Sequence, residues 1–368
     1  MRARLTRIET YVLTHTLGGV AAALAVLATV ITLIDFVEMS RSVGVRAEIG
    51  FSQTLNLTLL NAPSLILLLL PFAFLFGVLG AFVSLNRRSE LIAMRAAGVS
   101  AWRFIFPAAG AAVAIGVVTV TILNPIASAL NGRYETQRAA LMGATPANLH
   151  GETWLRQGDA ETQVVIRARS RDADHGPLRL KGVSLFISTP SKNHGLQFSR
   201  RIEADEAVLQ QGSWLLSGAR EATPGAEALK YDTLTIPSTL KSESALERFA
   251  SPKSIPFWQL WQAITQTEQT GYSATAYRLE LQELLATPVL YAAMSILAAA
   301  FSLRLIRLGG LAALAGSGVA LGFVLFFFNE FCRSLGQSGA IPPFAAAWTP
   351  PVLALLSGFT LLCYTEDG

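Results

Sequence analysis

The sequence has 368 residues, of which 52% are hydrophobic and only 15% are charged, a balance too apolar for an ordinary soluble protein. Its formal net charge of +4 does not indicate nucleic-acid binding, because residues 126–283 contain 17 basic and 17 acidic side chains. The positive excess therefore lies in the largely apolar segments on either side.

Six apolar runs are long enough to cross a bilayer, which takes roughly 20 residues of helix. They cover residues 11–34, 55–85, 101–123, 284–303, 309–331 and 343–364. The first run follows three arginines, as in a signal peptide, but it is about twice as long as a typical signal-peptide core. We therefore expect an uncleaved first span.

Basic residues in the short connections predict the orientation of the chain. They occur before span one, after span two and after span four, at Arg2, Arg4, Arg7, Arg87, Arg88, Arg95, Arg103, Arg304 and Arg307. Because Lys and Arg concentrate in cytoplasmic loops, both termini are expected in the cytoplasm. The large segment between spans three and four is then expected outside, which in a Gram-negative bacterium is the periplasm.

A short charged segment, residues 86–104, lies between spans two and three. Ser89 and Glu90 suit the start of a helix, Gly98 suits its end, and Ser100 suits the start of the next span. Apolar residues at i, i+3 and i+7 give this helix one narrow apolar face. The segment is either an ordinary positively charged loop or a helix that docks on a cytoplasmic partner. In the second case the residues expected to form the docking surface are Arg87, Arg88, Glu90, Leu91, Met94, Arg95 and Gly98.

Residues 143–251 alternate between apolar and polar side chains over short stretches separated by Gly, Pro and Asp turns. The predicted strands are 153–157, 163–168, 183–188, 196–198, 204–211, 213–217 and 231–236. Short strands of this kind indicate an all-β domain, a sandwich or β-jelly roll. It contains no cysteine, so it is expected to fold without disulfides.

Two helices are expected to join the β-domain to the membrane. WQLWQAITQTEQ, with Pro256 near its start, predicts the first, and residues 275–285 predict a second that runs into span four. The chain then divides into residues 1–125 with spans one to three, 126–270 with the β-domain and its connecting helix, and 271–368 with spans four to six.

Glycines in two spans occur at helix-packing spacings. Gly77 and Gly80 lie in span two, and Gly316, Gly318 and Gly322 lie in span five. Such positions let helices approach closely, either within this chain or at a seam between subunits.

No sequence motif indicates an active site. There is no GxxxxGK[ST] for nucleotides, no GxSxG for a serine nucleophile and no HExxH for a metal. We therefore predict no catalytic residue, no metal site and no cofactor on this chain.

Charged and amide side chains occur near the outer ends of spans one, three and five. Charges this close to hydrocarbon are expensive unless they are paired or hydrated, so they suit a polar vestibule with arginines available for phosphate groups. The alternative is that they snorkel to the interface, and that the phenylalanines of span five face lipid rather than acyl chains of a ligand. The predicted substrate-binding residues are Asp35, Glu38, Arg41, Arg46, Arg133, Arg138, Phe326, Asn329 and Arg333.

Five stretches carry a resemblance to one family. They are IDFVEMSRSVG at 34–44, NRRSELIAMRAAGVS at 86–100, SPKSIPFWQL at 251–260, LGFVLFFFNEF at 321–331 and GAIPPFAAAWTP at 339–350. Together they resemble the LptF/LptG (YjgP/YjgQ) permeases of the lipopolysaccharide export ABC transporter, and FVEMSR and AIPP are more similar to the G-type members. The order of three spans, outer domain and three spans extends this resemblance over the whole chain.

The resemblance implies a heterodimer with an F-type permease and two LptB ATPases in the cytoplasm, where ATP and Mg would bind. It implies that residues 87–98 form the coupling helix, with Glu90 at the ATPase contact. It also implies that lipopolysaccharide enters from the outer leaflet of the inner membrane through openings lined by spans one and five. The outer domain would be a β-jelly roll that meets LptC and LptA through its sheet edges. Where some G-type members carry Lys late in span one, this chain has Asp35.

Two functions of other classes remain open at this point. One is a membrane-anchored binding or sensor protein without an ATPase partner. The other is an integral membrane enzyme that acts on lipids, for which Asp35 and Glu38 are the candidate catalytic pair.

Overall fold

The membrane part contains the six predicted spans. The structure, a computed structural model, describes residues 7–44, 50–141, 153–158, 163–172, 178–190, 196–210, 212–238, 252–269, 273–305 and 311–366. Within these ranges, six helices are long and apolar enough to cross a membrane, three before and three after a β-domain. The predicted fold class is therefore confirmed.

The first half of the chain is helical up to residue 141. Its helices are α1 (Arg7–Gly44), α2 (Phe51–Arg87), α3 (Glu90–Ala96), α4 (Ala101–Val118) and α5 (Asn124–Leu141). Ser100 caps α4 as predicted, because its Oγ accepts a hydrogen bond from the Trp102 N–H at 3.3 Å. A π-helical turn, Thr119–Leu123, joins α4 to α5 without a break. The predicted domain boundary at residue 125 thus falls inside one continuous helical segment.

The second half returns to the membrane after a short 3₁₀ turn, Pro252–Ser254. It contains α6 (Phe257–Gln269), α7 (Thr275–Leu305), α8 (Leu311–Gln337) and α9 (Pro343–Glu366). The predicted second connecting helix does run into span four, since both belong to α7. Of the six spans, α7 is the most buried, whereas α1 and α8 are the least buried. Most of the surface of α1 and α8 is therefore open to lipid or to another chain.

Glycines set the closest helix contacts within the chain. A Cβ on Gly77 would lie 2.4 Å from the α1 backbone, so only glycine permits this approach of α2 to α1. Gly318 and Gly322 of α8 lie similarly close to side chains of α2. Gly80 and Gly316 have no neighbour within 4 Å in the described part of the chain. Packing within the chain, the first of the two alternatives, therefore accounts for three of the five glycines.

The β-domain is a single antiparallel sheet whose strands pair in sequence order. Its strands are β1 (Thr153–Gly158), β2 (Gln163–Asp172), β3 (Arg179–Pro190), β4 (Leu196–Gln210), β5 (Ser213–Ala222) and β6 (Leu229–Pro237). The two strands predicted at 196–198 and 204–211 are one strand, β4. A shift of register opposite Ile187 and Ser188 interrupts the alternation in β4, although its pairing with β3 continues.

One face of this sheet forms the core of the β-domain. Alternate residues are buried along the strands, for example Ile202 and Ala204 in β4. The sheet rolls over this core, since the Gln157 side chain of β1 contacts both β5 and β6. Its Nε2 donates to the Pro237 carbonyl at 3.2 Å, and its Oε1 accepts from Trp214 Nε1 at 3.1 Å. The predicted β-domain of jelly-roll type is therefore an up-and-down sheet rolled around its own core.

Candidate functional site

The short helix α3 between spans two and three has well-defined ends. Ser89 precedes it, but with φ of 60° its side chain makes no capping hydrogen bond, so the predicted cap is wrong in that respect. At the other end Gly98 adopts φ of 80°, as predicted. The Gly98 N–H donates to the Arg95 carbonyl at 2.9 Å and the Val99 N–H donates to the Met94 carbonyl at 3.1 Å. This is a Schellman motif, which ends α3 and turns the chain into span three.

The two faces of α3 differ in burial. Leu91 is only 1% exposed and Met94 packs against the same hydrophobic core, so the apolar face expected to dock on a partner instead contacts this chain's own spans. Ile92 is 58% exposed and lies with the exposed Ala93 and Ala96. The surface that α3 offers to another molecule is therefore formed by Ile92 and its alanine neighbours.

The start of α1 is tied to the segment around α3. The Tyr11 hydroxyl donates a hydrogen bond to Glu90 Oε2 at 2.8 Å. Arg103 Nε, just inside α4, pairs with Glu9 Oε1 at 2.9 Å. The sequence analysis missed both contacts, although the N-terminal basic cluster already predicted that these segments lie on one side of the membrane. Glu90, the expected ATPase contact, is thus oriented by span one.

Asp35 lies where α1, α2 and α5 meet. Its Oδ1 accepts a hydrogen bond from Asn61 Nδ2 at 2.9 Å, while its Oδ2 is buried without a partner among the described residues. Met39 and Tyr134 pack together beside it. The Arg138 guanidinium lies 5.9 Å from the centre of the Tyr134 ring. Three charged or aromatic side chains, those of Asp35, Tyr134 and Arg138, therefore converge at this junction with the Asn61 amide of α2.

The other polar residues predicted on this side are on the surface. Glu38, Arg41 and Arg133 are exposed, and Arg46 lies outside the described residues. Asp35 is half-buried and bonded to Asn61 whereas Glu38 is exposed, so the two carboxylates have different surroundings.

Arg333 of α8 is already paired within the chain. Its Nη2 lies 3.1 Å from Glu280 Oε2 and 3.4 Å from Glu283 Oε2, both on α7. The three side chains are only 15%, 14% and 23% exposed. The sequence analysis missed the two glutamates, although they stand one helical turn apart just before span four. Arg333 was predicted to be available for phosphate groups, and that prediction did not include its two carboxylate partners.

Phe326, Asn329 and Arg333 line a cavity of about 180 Å³ between α2, α7, α8 and α9, which we call the side cavity. Five of the predicted substrate-binding residues thus lie in two clusters, with Asp35 and Arg138 at the junction around Asp35 and Phe326, Asn329 and Arg333 at the side cavity. Both clusters border α2. Among the described residues, no group of three His, Cys, Asp or Glu side chains could hold a metal ion.

Comparison with known proteins relates the whole chain to one family. A sequence profile described as "Lipopolysaccharide export system permease LptF/LptG" matches residues 10–364. The chain is 24% identical over 372 aligned residues to the lipopolysaccharide export system permease protein LptG of Haemophilus influenzae, covering 99% of this chain and 100% of that protein. It is 22% identical over 312 residues to the protein of the same name from Escherichia coli K12, covering 83% and 84% of the two chains. These matches include the spans and the β-domain alike.

Proposed function

We propose, since the chain belongs to the lipopolysaccharide export permease family LptF/LptG, that it is the G-type permease subunit of an ABC transporter. The transporter would take lipopolysaccharide from the outer leaflet of the inner membrane and pass it to a periplasmic bridge. ATP and Mg would bind to two LptB-type ATPase subunits in the cytoplasm. The permease itself then has no catalytic task. An F-type permease forms the other half of the membrane-spanning part of the transporter.

The observation that carries this proposal is the construction of α3. A helix of seven residues, fixed at one face by Leu91 and ended by Gly98, presents the exposed Ile92 to the same side of the membrane as the expected termini. Ile92, Ala93 and Ala96 form a small exposed apolar patch on this connection, and such a patch favours a protein contact. This is the arrangement expected of a coupling helix that receives an ATPase.

The contacts of α3 also favour mechanical coupling between this helix and the membrane spans. Leu91 packs in the core shared with α2 and α4, and Glu90 is bonded to Tyr11 of α1. A displacement of α3 by the ATPases would therefore move spans one to three together. The two least buried spans, α1 and α8, would line the cavity shared with the partner permease. Narrowing of this cavity would push the lipid toward the periplasm.

The substrate would meet this chain at the junction around Asp35. Arg41, Arg133 and Arg138 are exposed on the two helices α1 and α5 that meet there, and they are the candidates for phosphate contacts. Asp35 itself is held by Asn61 and would position its neighbours rather than bind an anion.

The β-domain would continue the lipid path. In the described sheet β1 and β6 pair on one side only, so each leaves an edge open to a further strand. Such edges suit strand addition by LptC-type and LptA-type proteins of the same rolled architecture. The termini would be cytoplasmic and the β-domain periplasmic.

Purification of the tagged full chain in mild detergent tests the proposal. Mass spectrometry is expected to find a second six-span permease, a soluble ATPase and lipopolysaccharide with the wild type. Ile92→Asp is expected to remove the ATPase and to leave the second permease bound, because it places a charge on the exposed face of α3 only. Leu229→Asp is the matched control, since Leu229 is 57% exposed and lies in β6, far along the chain from α3.

Two results would contradict the proposal. A wild-type chain that is purified alone under gentle extraction would favour the binding or sensor protein. Equal ATPase capture by the wild type and by Ile92→Asp would show that α3 is not the docking helix.

A further inference from the structure

The side cavity has the shape of a slot that runs from the outer end of the membrane part toward its middle. Its lining on α7 extends from Glu280 to Met294, which is about 21 Å at 1.5 Å per helical residue. The outer end carries Glu283 and Arg333, whereas Leu290 and Phe326 lie in the apolar part. A charged end beside an apolar slot matches the orientation of an amphiphile in the outer leaflet.

The charged end has more negative than positive groups. Glu280, Glu283 and Glu330 line it together with Arg333, and Lys253 lies beside Glu280 and Arg333 just outside the cavity. Arg333 lies within 3.4 Å of Glu280 and Glu283, so one guanidinium serves two largely buried carboxylates. Buried carboxylates in excess of their cationic partners are costly, which favours a ligand that brings a positive charge. A lipid whose headgroup carries a net negative charge would be repelled by the same groups.

Two prolines add hydrogen-bond acceptors at this end. Pro288 in α7 and Pro351 in α9 have no N–H, so the carbonyls of Leu284 and Ala347, four residues earlier, lose their helical donors. Leu284 and Ala347 both line the side cavity. A ligand that donates hydrogen bonds is therefore better suited to this end than one that only accepts them.

We infer that the side cavity holds one acyl chain of a phospholipid whose headgroup carries a primary ammonium next to its phosphate. The ammonium donates to Glu280 and Glu283, and the phosphate lies toward Arg333. A volume of about 180 Å³ accommodates part of one acyl chain. The inference does not rest on the proposed function, because it concerns the isolated chain and a lipid of the surrounding membrane.

Native mass spectrometry of the delipidated full chain tests the headgroup preference. The probes are phosphatidylethanolamine, phosphatidylcholine and phosphatidylglycerol with identical acyl chains. Phosphatidylethanolamine is expected to bind about tenfold more tightly than phosphatidylglycerol, as charge-assisted hydrogen bonds allow. Phosphatidylcholine is expected to bind more weakly than phosphatidylethanolamine, since its quaternary ammonium donates no hydrogen bond. Phosphatidylglycerol binding as tightly as phosphatidylethanolamine would overturn the inference.

Two variants locate the preference. The double variant Glu280→Gln, Glu283→Gln leaves Arg333 without carboxylate partners, so the preference is expected to reverse toward phosphatidylglycerol. Leu290→Trp fills the slot and is expected to lower the binding of all three lipids.

The matched control for the double variant is Glu268→Gln. Glu268 pairs with Arg278 and is 40% exposed outside the cavity, so its loss is expected to change nothing. A double variant that keeps the wild-type preference would place the lipid elsewhere. Displacement of phosphatidylethanolamine by one equivalent of lipopolysaccharide would assign the side cavity to the export substrate and also overturn the inference.

Discussion

The Tyr11 hydroxyl donates a hydrogen bond to Glu90 Oε2 at 2.8 Å and so joins span one to the short helix between spans two and three. The two residues are 79 positions apart in the chain. The carboxylate that the proposed ATPase would meet is therefore held in place by a residue of a different helix.

Tyr11→Phe is expected to weaken ATPase capture by about fivefold, which corresponds to the roughly 1 kcal/mol of a typical hydrogen bond. Glu90→Ala is expected to have a larger effect, because it removes the docking group as well. The double variant is expected to equal Glu90→Ala, since Tyr11 acts through Glu90. The measurement is ATPase binding to the purified permease, with Tyr364→Phe as the control in the last span. Additive effects of Tyr11→Phe and Glu90→Ala would show that the two residues act separately.

Leu91 and Ile92 are adjacent, yet substitutions at the two positions are expected to change the free energy of unfolding by very different amounts. Leu91→Ala removes a side chain that is 1% exposed and is expected to lower the free energy of unfolding by about 2–5 kcal/mol. Ile92→Ala alters a side chain that is 58% exposed and is expected to change stability by less than about 0.5 kcal/mol. Thermal unfolding in detergent measures both, and equal shifts would mean that α3 is not anchored by Leu91.

Gly77 and Gly80 lie one helical turn apart in α2, but Gly77 packs against α1 whereas Gly80 faces open space. Gly77→Ala is expected to destabilise the chain by about 1–3 kcal/mol, because its Cβ would overlap the α1 backbone. Gly80→Ala is expected to be neutral or slightly stabilising, since nothing lies within 4 Å and alanine favours the helix. The comparison of their unfolding midpoints is the test, and a neutral Gly77→Ala would contradict the α1–α2 contact.

Arg333→Met is expected to lower the free energy of unfolding by about 3 kcal/mol, because it removes the ion-pair partner of the largely buried Glu280 and Glu283. Adding Glu280→Gln and Glu283→Gln to this variant is expected to restore most of that loss. Arg103→Met is the control, and it is expected to cost about 1 kcal/mol or less, since Arg103 is 56% exposed. Chemical denaturation measures the free energy of unfolding of each variant. Equal losses for Arg333→Met and Arg103→Met would argue against a structural ion pair at Arg333.

The parts of the fold that depend on local pattern could be predicted from the sequence. Apolar runs of about two dozen residues identify spans regardless of what they contact. Alternation along the strands and turn residues between them locate the β-domain in the same way. The end of α3 was also predictable, since glycine is one of the few residue types that adopt the φ of 80° observed at Gly98 without strain.

The parts that depend on how helices are rotated and spaced could not be predicted. Leu91 and Met94 form an apolar face in either case, but the sequence does not say whether that face meets a partner or the chain's own core. Arg333 has carboxylate partners 50 and 53 positions earlier in the chain, and Asp35 has Asn61 on the next helix. Ser89 is a good capping residue by type, yet its φ of 60° turns the side chain away from that role.

The π-helical turn at Thr119–Leu123 sets the angular phase between the two ends of one long rod, α4 and α5. Such a turn holds one residue more than an α-helix, and each α-helical residue turns by about 100°. Without this extra residue, everything beyond it would rotate by that angle, and Tyr134 would no longer point at Met39. A single inserted position is thus sufficient to choose which side of span three closes the junction around Asp35.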